Sequence, residues 1–497
     1  MPRRVDAGFV RLEGQVDPGR VEPARSPAAW GPLSRPAEFA LLGALALPVV
    51  VALIAHGGFF PRGQSAFALA AAAAFVVAVA LAGWSPAALR SPAVLALVGL
   101  AALSALSAAW TIASADDALR WGAVIAGLVA IAVAASVASA RVGVVPIATA
   151  IAALAAVAGV IGLYGAGARV EPLAQRLGGQ WSPGGPLEYS PALALMQVSV
   201  LPILWAAMAR SREGVAAAAA CGAAVAGSVL ALAGSRVELA IAAGVVAVCV
   251  VAAGAVGERR TTILTAAALA ATAGGAADAI AGSYVQPYVT GGDGPRLAGL
   301  AAVVIGASGL WRLQRRALHV ASAGSRAART IAVVAVAVPL AVALVAAAAT
   351  PDSGPEAEPV SGFTHGRTEQ WRAAVDAAED RPLAGSGSLS FYVASLRYQD
   401  PPPVRFAHNL PLETWAELGA GGALLAVVLY AGSVGLVWSR RRTAAAWLLG
   451  PAILGFLVAN LFDWPWHVPV SGAVFALALG ALAGVPRTAG RVYTGRI

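Results

Sequence analysis

Long apolar segments recur along almost the whole chain, and no other feature constrains its fold as strongly. A helix of about 20 apolar residues matches the hydrocarbon core of a bilayer. Fourteen such segments are predicted, and the one at 296–310 is short and contains glycine. They lie at residues 38–56, 65–83, 92–110, 120–138, 144–164, 188–208, 215–233, 238–256, 261–279, 296–310, 330–349, 412–438, 444–461 and 467–485.

The composition agrees with a membrane protein. Hydrophobic residues make up 59% of the 497 residues and charged residues only 12%, which leaves too little polar surface for a soluble globule. We therefore predict an all-α fold, a polytopic bundle of about 12–14 transmembrane helices with one large extracytoplasmic loop that carries short amphipathic helices. Both cysteines, Cys221 and Cys249, lie in apolar segments, so neither a disulfide framework nor a thiolate metal site is expected.

The distribution of arginine predicts the orientation of the chain. Short cytoplasmic loops collect arginine, and most arginines fall on the cytoplasmic side when the N-terminus is placed there. Topology then explains the net charge of +9, and no nucleic-acid partner is expected. The predicted parts are a disordered cytoplasmic tail at 1–37, a first part of the bundle at 38–349, a large extracytoplasmic loop at 350–411, the last spans at 412–485 and a cytoplasmic tail at 486–497.

The 350–411 loop is long enough to form structure of its own. Within RTEQWRAAVDAAEDRP, Trp371, Val375 and Ala378 recur at helical spacing, which predicts an amphipathic helix at the membrane surface. A second short helix is expected between the glycines of LAGSGSLSFYVASLRYQ and the DPPP segment that ends it. Pro411 then opens the helix that becomes the next span.

Two arginines are candidates for anion binding at the outer membrane face. Ser235 and Arg236 follow a span with almost no loop, so this guanidinium either extends to the interface or binds an anion such as phosphate. Arg367 and Trp371 lie one turn apart on the predicted loop helix. The pair fits either an anion site or the ordinary anchoring of an amphipathic helix on the membrane, and the sequence favours neither.

His408 and Asn409 precede a long apolar helix, with Glu413 and Glu417 in its first turns. Carboxylates at a helix N-terminus are favoured by the helix dipole and need no catalytic role. An imidazole titrates near neutral pH, so His408 is a candidate general base for a hydroxyl substrate.

Aromatic residues mark the ends of two further spans. Tyr189 stands at the start of one span, and Asp463 lies within FDWPWHVP before another. Both segments are typical of the aromatic belt at a membrane interface, and a role in lining the substrate site is the alternative for each.

The motifs of several other enzyme classes are missing. The sequence has no P-loop, no dinucleotide fingerprint in a strand context, no HExxH and no paired-aspartate metal motif. ATP-driven and metal-hydrolase functions therefore lose support, and neither a cofactor nor a metal is expected.

Taken in order, these residues resemble the O-antigen ligase/polymerase family of bacterial membrane glycosyltransferases. The resemblance extends over about residues 180–440, roughly half of the chain. The sequence departs from the family at Val237 and Glu238, where a small residue commonly follows Ser-Arg. The ordered set is Ser235, Arg236, Arg367, Trp371, Gly385, Gly387, Phe391, His408, Asn409, Leu412, Glu417, Gly419 and Gly422.

The resemblance implies a metal-independent, inverting transfer of a glycan from a polyprenyl-diphosphate carrier to an acceptor hydroxyl at the outer face of the cytoplasmic membrane. On this basis Arg236 and Arg367 hold the diphosphate, and His408 accepts the hydroxyl proton. Loss of either arginine is expected to impair transfer without unfolding the bundle. The partners are the lipid-linked donor, a glycan, lipid or protein acceptor, and membrane lipids. The expected substrate contacts are Ser235, Asn409, Trp371, Tyr189 and Glu417.

A multi-span transporter or a flippase for lipid-linked oligosaccharides is the alternative function. Such carriers tend to have internal repeats, interrupted helices or charges near the midplane. This sequence has no convincing repeat, and its outer arginines gather at one membrane face, which favours an enzyme at the interface. A non-catalytic scaffold, the third hypothesis, predicts that Arg236, Arg367 and His408 can each be replaced without effect.

Overall fold

The computed structural model describes residues 33–177, 180–252, 260–282, 292–322, 367–399 and 403–485, and fifteen α-helices lie within these ranges. The predicted span at 330–349, residues 1–32 and 486–497 of the two predicted tails, and His365 lie outside the described residues. The helices are α1 Arg35–Ile54, α2 Pro61–Ala82, α3 Pro92–Leu106, α4 Ala115–Val142, α5 Val144–Ala168, α6 Ser190–Arg210, α7 Glu213–Ala233, α8 Arg236–Ala252, α9 Arg260–Ala277, α10 Asp293–Ser322, α11 Arg367–Asp380, α12 Phe391–Ser395, α13 Leu410–Ser439, α14 Ala444–Ala459 and α15 Pro469–Gly484.

Within the described ranges, ten helices are long and apolar enough to cross a membrane, namely α1–α7, α9, α10 and α13. Two more apolar helices, α14 and α15, are shorter. Each predicted span that falls on described residues coincides with a helix, which confirms the predicted all-α polytopic bundle. The number of spans in the whole chain stays a prediction.

Small residues let the helices pack closely. Buried alanines and glycines line many helix contacts, as is typical of helices that associate within a membrane. A methyl group on Gly227 of α7 would collide with the carbonyl of Ala270 on α9, and one on Gly480 of α15 would collide with that of Ala132 on α4. The backbones of these helix pairs are therefore in direct contact.

Every second connection between consecutive long helices lies at the same end of the bundle, which we call the site end. There His56, after α1, pairs closely with Glu188, which precedes α6. At the opposite end, Arg312 of α10 pairs with Glu213 at the start of α7 across 3.2 Å. The site end comprises the segments 55–60, 107–114, 169–177, 180–189, 234–235, 381–399, 403–409 and 460–468.

A β-hairpin lies at the site end between α5 and α6. Its strands, β1 Ala174–Leu177 and β2 Gln180–Pro183, pair antiparallel. The hydroxyl of Ser182 donates to the carbonyl of Leu232 at 3.1 Å, which holds the hairpin against the end of α7. The apolar pattern does not predict this hairpin, because strands of four residues are too short to give a clear signal.

The loop helices agree with the sequence pattern. The amphipathic helix is present as α11, and Pro411 lies in the first turn of α13 as predicted. α13 bends at Gly419, whose φ of 63° favours glycine. At this bend the N–H of Ala420 donates to the carbonyl of Pro382 at 2.8 Å, so the loop after α11 is bonded directly to α13.

Candidate active site

A buried carboxylate lies at the centre of the site end. Asp463 is in the turn between α14 and α15, and its side chain is only 3% exposed. Its Oδ1 accepts a hydrogen bond from the Tyr189 hydroxyl at 2.6 Å and another from the Trp464 N–H at 2.8 Å. Buried carboxylates need such partners, because loss of water disfavours the charge. We call Asp463 and the side chains around it, Tyr189, Arg367 and His408, the Asp463 centre.

His408 directs one ring nitrogen at this carboxylate and anchors the other. Its Nδ1 lies 3.0 Å from the carbonyl oxygen of Phe406, which can only accept, so Nδ1 is assigned the proton and donates it. In the neutral ring Nε2 is then unprotonated. It faces Asp463 Oδ1 at 4.0 Å, and the side chain is 17% exposed. The ring is thus oriented to take a proton from a molecule that reaches Nε2.

The surroundings favour the neutral form of His408. Burial lowers the pKa of its imidazole below the ordinary value; the carboxylate of Asp463 partly opposes this shift, and the guanidinium of Arg367 adds to it. A neutral imidazole can act as a general base. Once it is protonated, the nearby carboxylate stabilises the charge.

Asn409 ties the histidine segment to the Asp463 turn. Its side-chain oxygen caps α13 by accepting the N–H of Leu412 at 3.1 Å, and its Nδ2 donates to the carbonyl of Leu461 at 3.1 Å. The N–H of Leu410 also donates to the carbonyl of Asn460 at 2.8 Å. These bonds fix the distance between His408 and Asp463. The side chain of Asn409 therefore supports the site, and its predicted contact with substrate stays a prediction.

Glu413 holds the backbone ahead of His408. One carboxylate oxygen accepts the N–H of Ala407 at 2.8 Å, and the other pairs closely with Nε2 of His467. The side chains of Glu413 and His467 are both buried. The ring of His467 stacks on Phe406 with centroids 4.1 Å apart, so the pair also positions the residue whose carbonyl orients His408.

Arg367 begins α11 and brings a cation to the Asp463 centre. Its Nη2 lies 3.9 Å from Asp463 Oδ1, and its side chain is 20% exposed. Buried alanines of α11, among them Ala374 and Ala378, pack in one cluster with Ala416 of α13 and so hold the helix in place. Because 3.9 Å is longer than a hydrogen bond, the guanidinium keeps donors for another anion.

Trp371 lies one turn after Arg367, as predicted, and extends toward the Asp463 turn. Its ring centroid is 6.1 Å from that of Phe462. The indole N–H is buried and donates to no residue that the structure describes. Its predicted contact with substrate stays a prediction.

Glu417 supports the loop between α11 and α12. Its carboxylate accepts the N–H of Leu389 at 2.9 Å and that of Phe391 at 3.0 Å, while its carbonyl accepts the N–H of Gly387 at 2.7 Å. The side chain is buried and its oxygens are occupied. Glu417 therefore supports this loop, and its predicted contact with substrate stays a prediction.

Tyr189 supplies the hydroxyl beside Asp463. Burial, followed by the charge of Asp463 and its hydrogen bond, raises the pKa of Tyr189 well above the ordinary value, so the hydroxyl stays neutral and donates. Its ring stacks on Trp464 with centroids 4.1 Å apart, and Trp464 stacks in turn on Phe406. The predicted role of Tyr189 in lining the substrate site stays a prediction.

Ser235 and Arg236 border the Asp463 centre without joining it. The hydroxyl of Ser235 donates to the buried carboxylate of Glu238, whose other oxygen has no hydrogen-bond partner among the described residues. The charge of Glu238 acts on Tyr189, so the two regions are neighbours. The side chain of Arg236 is exposed. Its predicted contact with the diphosphate, like that of Ser235 with substrate, stays a prediction.

Asp463 and Glu238 are not among the site residues that the sequence analysis predicts. In FDWPWHVP, Asp463 is interpreted as part of an aromatic belt. The sequence feature that could have identified Asp463 is a carboxylate in a short turn between two apolar helices, where a charge is costly without partners. Glu238 stands where the family commonly has a small residue after Ser-Arg, and this departure is its signal.

Guanidinium groups are the cations that the site offers to a phosphate. Across the described ranges, no group of three or more His, Cys, Asp or Glu side chains is placed to hold a metal ion. The predicted absence of a metal stays a prediction.

The comparison with known families gives one match at this site. The family described as O-antigen ligase matches residues 287–427, a range that contains Arg367 and His408 but not Tyr189, Arg236 or Asp463. No curated protein matches the chain. At the level of the family, the match supports a membrane enzyme of the glycosyl-transfer type. Residues 287–427 are therefore similar to the O-antigen ligase family, which confirms the predicted resemblance over this part of the chain.

Proposed function

We propose that this protein transfers a glycan from a polyprenyl-diphosphate carrier to an acceptor hydroxyl at the outer face of the cytoplasmic membrane. The observation that carries the proposal is the orientation of His408, whose Nδ1 is held by a carbonyl while Nε2 is free to accept a proton near Arg367 and Asp463. A base beside a cation suits a reaction in which a hydroxyl attacks and a diphosphate leaves.

In the proposed reaction, the acceptor oxygen forms a bond to the anomeric carbon of the glycan. The bond from that carbon to the diphosphate oxygen breaks, and the diphosphate leaves with both electrons. Nε2 of His408 takes the hydroxyl proton, and Asp463 stabilises the resulting imidazolium from 4.0 Å. A single displacement of this kind inverts the configuration at the anomeric carbon.

The arginines are proposed to bind the diphosphate. A guanidinium has planar N–H donors that match phosphate oxygens, and its charge offsets the charge that develops on the leaving group. Arg367 is half-buried beside the base, and the exposed Arg236 is proposed to contact the same group from the neighbouring turn. Because the arginines supply the positive charge, the proposed reaction needs no metal.

The proposal is tested with purified protein in liposomes that contain a polyprenyl-diphosphate-linked glycan and total envelope acceptors. Wild type is compared with His408→Ala and with His56→Gln, which alters a histidine at the same end of the bundle but outside the Asp463 centre. We expect a new glycan–acceptor product from wild type and from His56→Gln, and none from His408→Ala. Equal transfer by His408→Ala would mean that His408 is not the base. Translocation of the glycolipid without transfer by wild type would favour a flippase.

Metal independence is tested in the same vesicles. Transfer is expected to continue at an unchanged rate when EDTA is added to both sides of the membrane. A loss of transfer that Mg²⁺ restores would contradict this part of the proposal.

The membrane side of the site is tested with a reporter fused after Arg397, in the loop between α11 and α13. An extracytoplasmic signal is expected. A cytoplasmic signal would contradict both the topology and the location of the site.

A further inference from the structure

A second group of arginines lies at the site end, where α5 ends and α10 begins. The Nε of Arg296, in the first turn of α10, donates to the carbonyl of Gly167 near the end of α5 at 2.9 Å. A methyl group on Gly167 would lie 2.8 Å from Leu300, so the absence of a side chain lets the two helices approach this closely. The side chain of Arg296 is 6% exposed and also pairs closely with Asp293. Both helices are candidate membrane spans, so we expect their ends, and this group with them, to lie near a membrane–water interface.

Arg169 has donors that no described residue accepts. It follows the last residue of α5 in a left-handed conformation, with φ 57° and ψ 44°. Its Nε and Nη2 are buried, and neither donates to any residue that the structure describes. Burial lowers the pKa of Arg169, and so does the charge of Arg296. Buried donors without a partner destabilise a protein unless a ligand or water satisfies them.

The β-hairpin brings a third guanidinium to the group. Arg176 lies over the ring of Trp181 across the strand pair, 4.9 Å from its centroid, and its charge also acts on Arg169. Asp293 is the carboxylate that acts on Arg169, and its side chain is 59% exposed. The charges of Arg296 and Arg176 both disfavour the charge of Arg169, so an anion bound beside Arg169 would offset this repulsion.

We propose that Arg169, Arg176 and Arg296 form a second anion site, which binds the phosphate group of a membrane lipid. Phosphate oxygens match the guanidinium donors that Arg169 leaves unused, and charged lipid headgroups lie at the depth of a helix end. The lipid source is favoured because Tyr164 of α5 and Ile305 of α10 are exposed apolar side chains on the same two spans, where acyl chains can contact them.

This second site is separate from the Asp463 centre. The hairpin lies between the two, because Ser182 donates to Leu232 before the Ser235–Arg236 turn and Gln175 donates to the carbonyl of Glu188 at 2.9 Å. The inference therefore goes beyond the proposed transfer reaction and does not depend on it. Its test uses lipid binding, so failure of one proposal is distinguishable from failure of the other.

The experiment measures binding of fluorescent phosphatidylglycerol to the purified full-length chain in micelles of a neutral detergent. A diacylglycerol with the same acyl chains and no phosphate is the lipid control. We expect Arg169→Gln to weaken phosphatidylglycerol binding about tenfold or more, because it removes charge-assisted hydrogen bonds to phosphate. Diacylglycerol binding is expected to stay unchanged.

Two further variants keep the test decisive. Arg176→Gln alters an exposed hairpin residue and is expected to weaken phosphatidylglycerol binding even if Arg169→Gln fails to fold. Arg62→Gln alters an exposed arginine in the first turn of another site-end helix and is expected to bind as wild type does. Unchanged binding by Arg169→Gln and Arg176→Gln, or an equal loss in Arg62→Gln, would overturn the proposal.

Inorganic phosphate distinguishes the two sources of the anion. If the lipid is the ligand, millimolar phosphate leaves phosphatidylglycerol bound to wild type. Displacement from wild type by inorganic phosphate would keep a phosphate site but overturn its assignment to lipid.

Discussion

The Asp463 centre and the Ser235–Arg236 turn lie at the same end of the bundle, yet they are built in opposite ways. At the centre, His408, Arg367 and Asp463 are each at most 20% exposed, and bonds from residues 409 and 410 to the 460–461 turn fix their spacing. At the turn, Arg236 is exposed. Proton transfer requires atoms within hydrogen-bond reach, whereas attraction of an anion acts over longer distances. The contrast indicates that the centre is suited to bond breaking and the turn to drawing in the charged carrier.

The largest effect is expected from removing the base. His408→Gln keeps a polar side chain of similar size but should lower the rate of glycan transfer about 10²- to 10⁴-fold, because proton transfer by a positioned side chain contributes that much. Initial rates at saturating donor measure the loss. Thermal unfolding should be close to that of wild type, because the bonds of Asn409 and Glu413 remain. A rate close to that of wild type would contradict the assigned role.

Replacement of the half-buried arginine is expected to have the next largest effect. Arg367→Gln should lower transfer about 10- to 100-fold, because a hydrogen bond to a charged group contributes about 1.5–3 kcal/mol. Arg372→Gln, an exposed position on the same helix, is the matched control and should be close to wild type in transfer. If both variants lose activity equally, the charge of α11 as a whole matters and the specific contact of Arg367 does not.

Arg236→Gln is expected to have a smaller effect, because water screens an exposed charge. The contact should contribute about 0.2–1 kcal/mol, which corresponds to a loss of transfer of at most about fivefold. The loss should also shrink as salt is raised from 0.01 M to 0.15 M, since screening shortens the reach of the charge. Donor titrations at both salt concentrations measure this. A salt-independent loss as large as that of Arg367→Gln would mean that Arg236 closes onto the bound carrier.

The comparison also separates what the sequence could predict from what it could not. Spans, the α11 helix and the order of Arg367 and His408 depend on local patterns, namely apolar length, helical spacing and motif order. The contact of Tyr189 with Asp463 joins residues 274 positions apart, and no local pattern encodes it. The same limit applies to the bonds of Glu417, whose oxygens accept N–H groups from the loop beyond Gly387. Its predicted contact with substrate stays a prediction.

The smallest expected effect is a displacement of the pH profile, and it tests the coupling inside the Asp463 centre. Only neutral His408 can accept a proton, and burial lowers its pKa below the ordinary value of 6.5, so transfer by wild type should rise with pH and reach half its plateau below pH 6.5. The carboxylate of Asp463 favours the protonated ring. Asp463→Asn removes that charge, so the pKa of His408 falls further and the acidic limb moves to lower pH. Measurements of kcat/KM against pH locate the limb, with Asp380→Asn, an exposed carboxylate at the end of α11, as the matched control. If the limb stays in place or moves to higher pH in Asp463→Asn, the carboxylate of Asp463 does not act on the pKa of His408, and the proposed coupling inside the Asp463 centre is wrong.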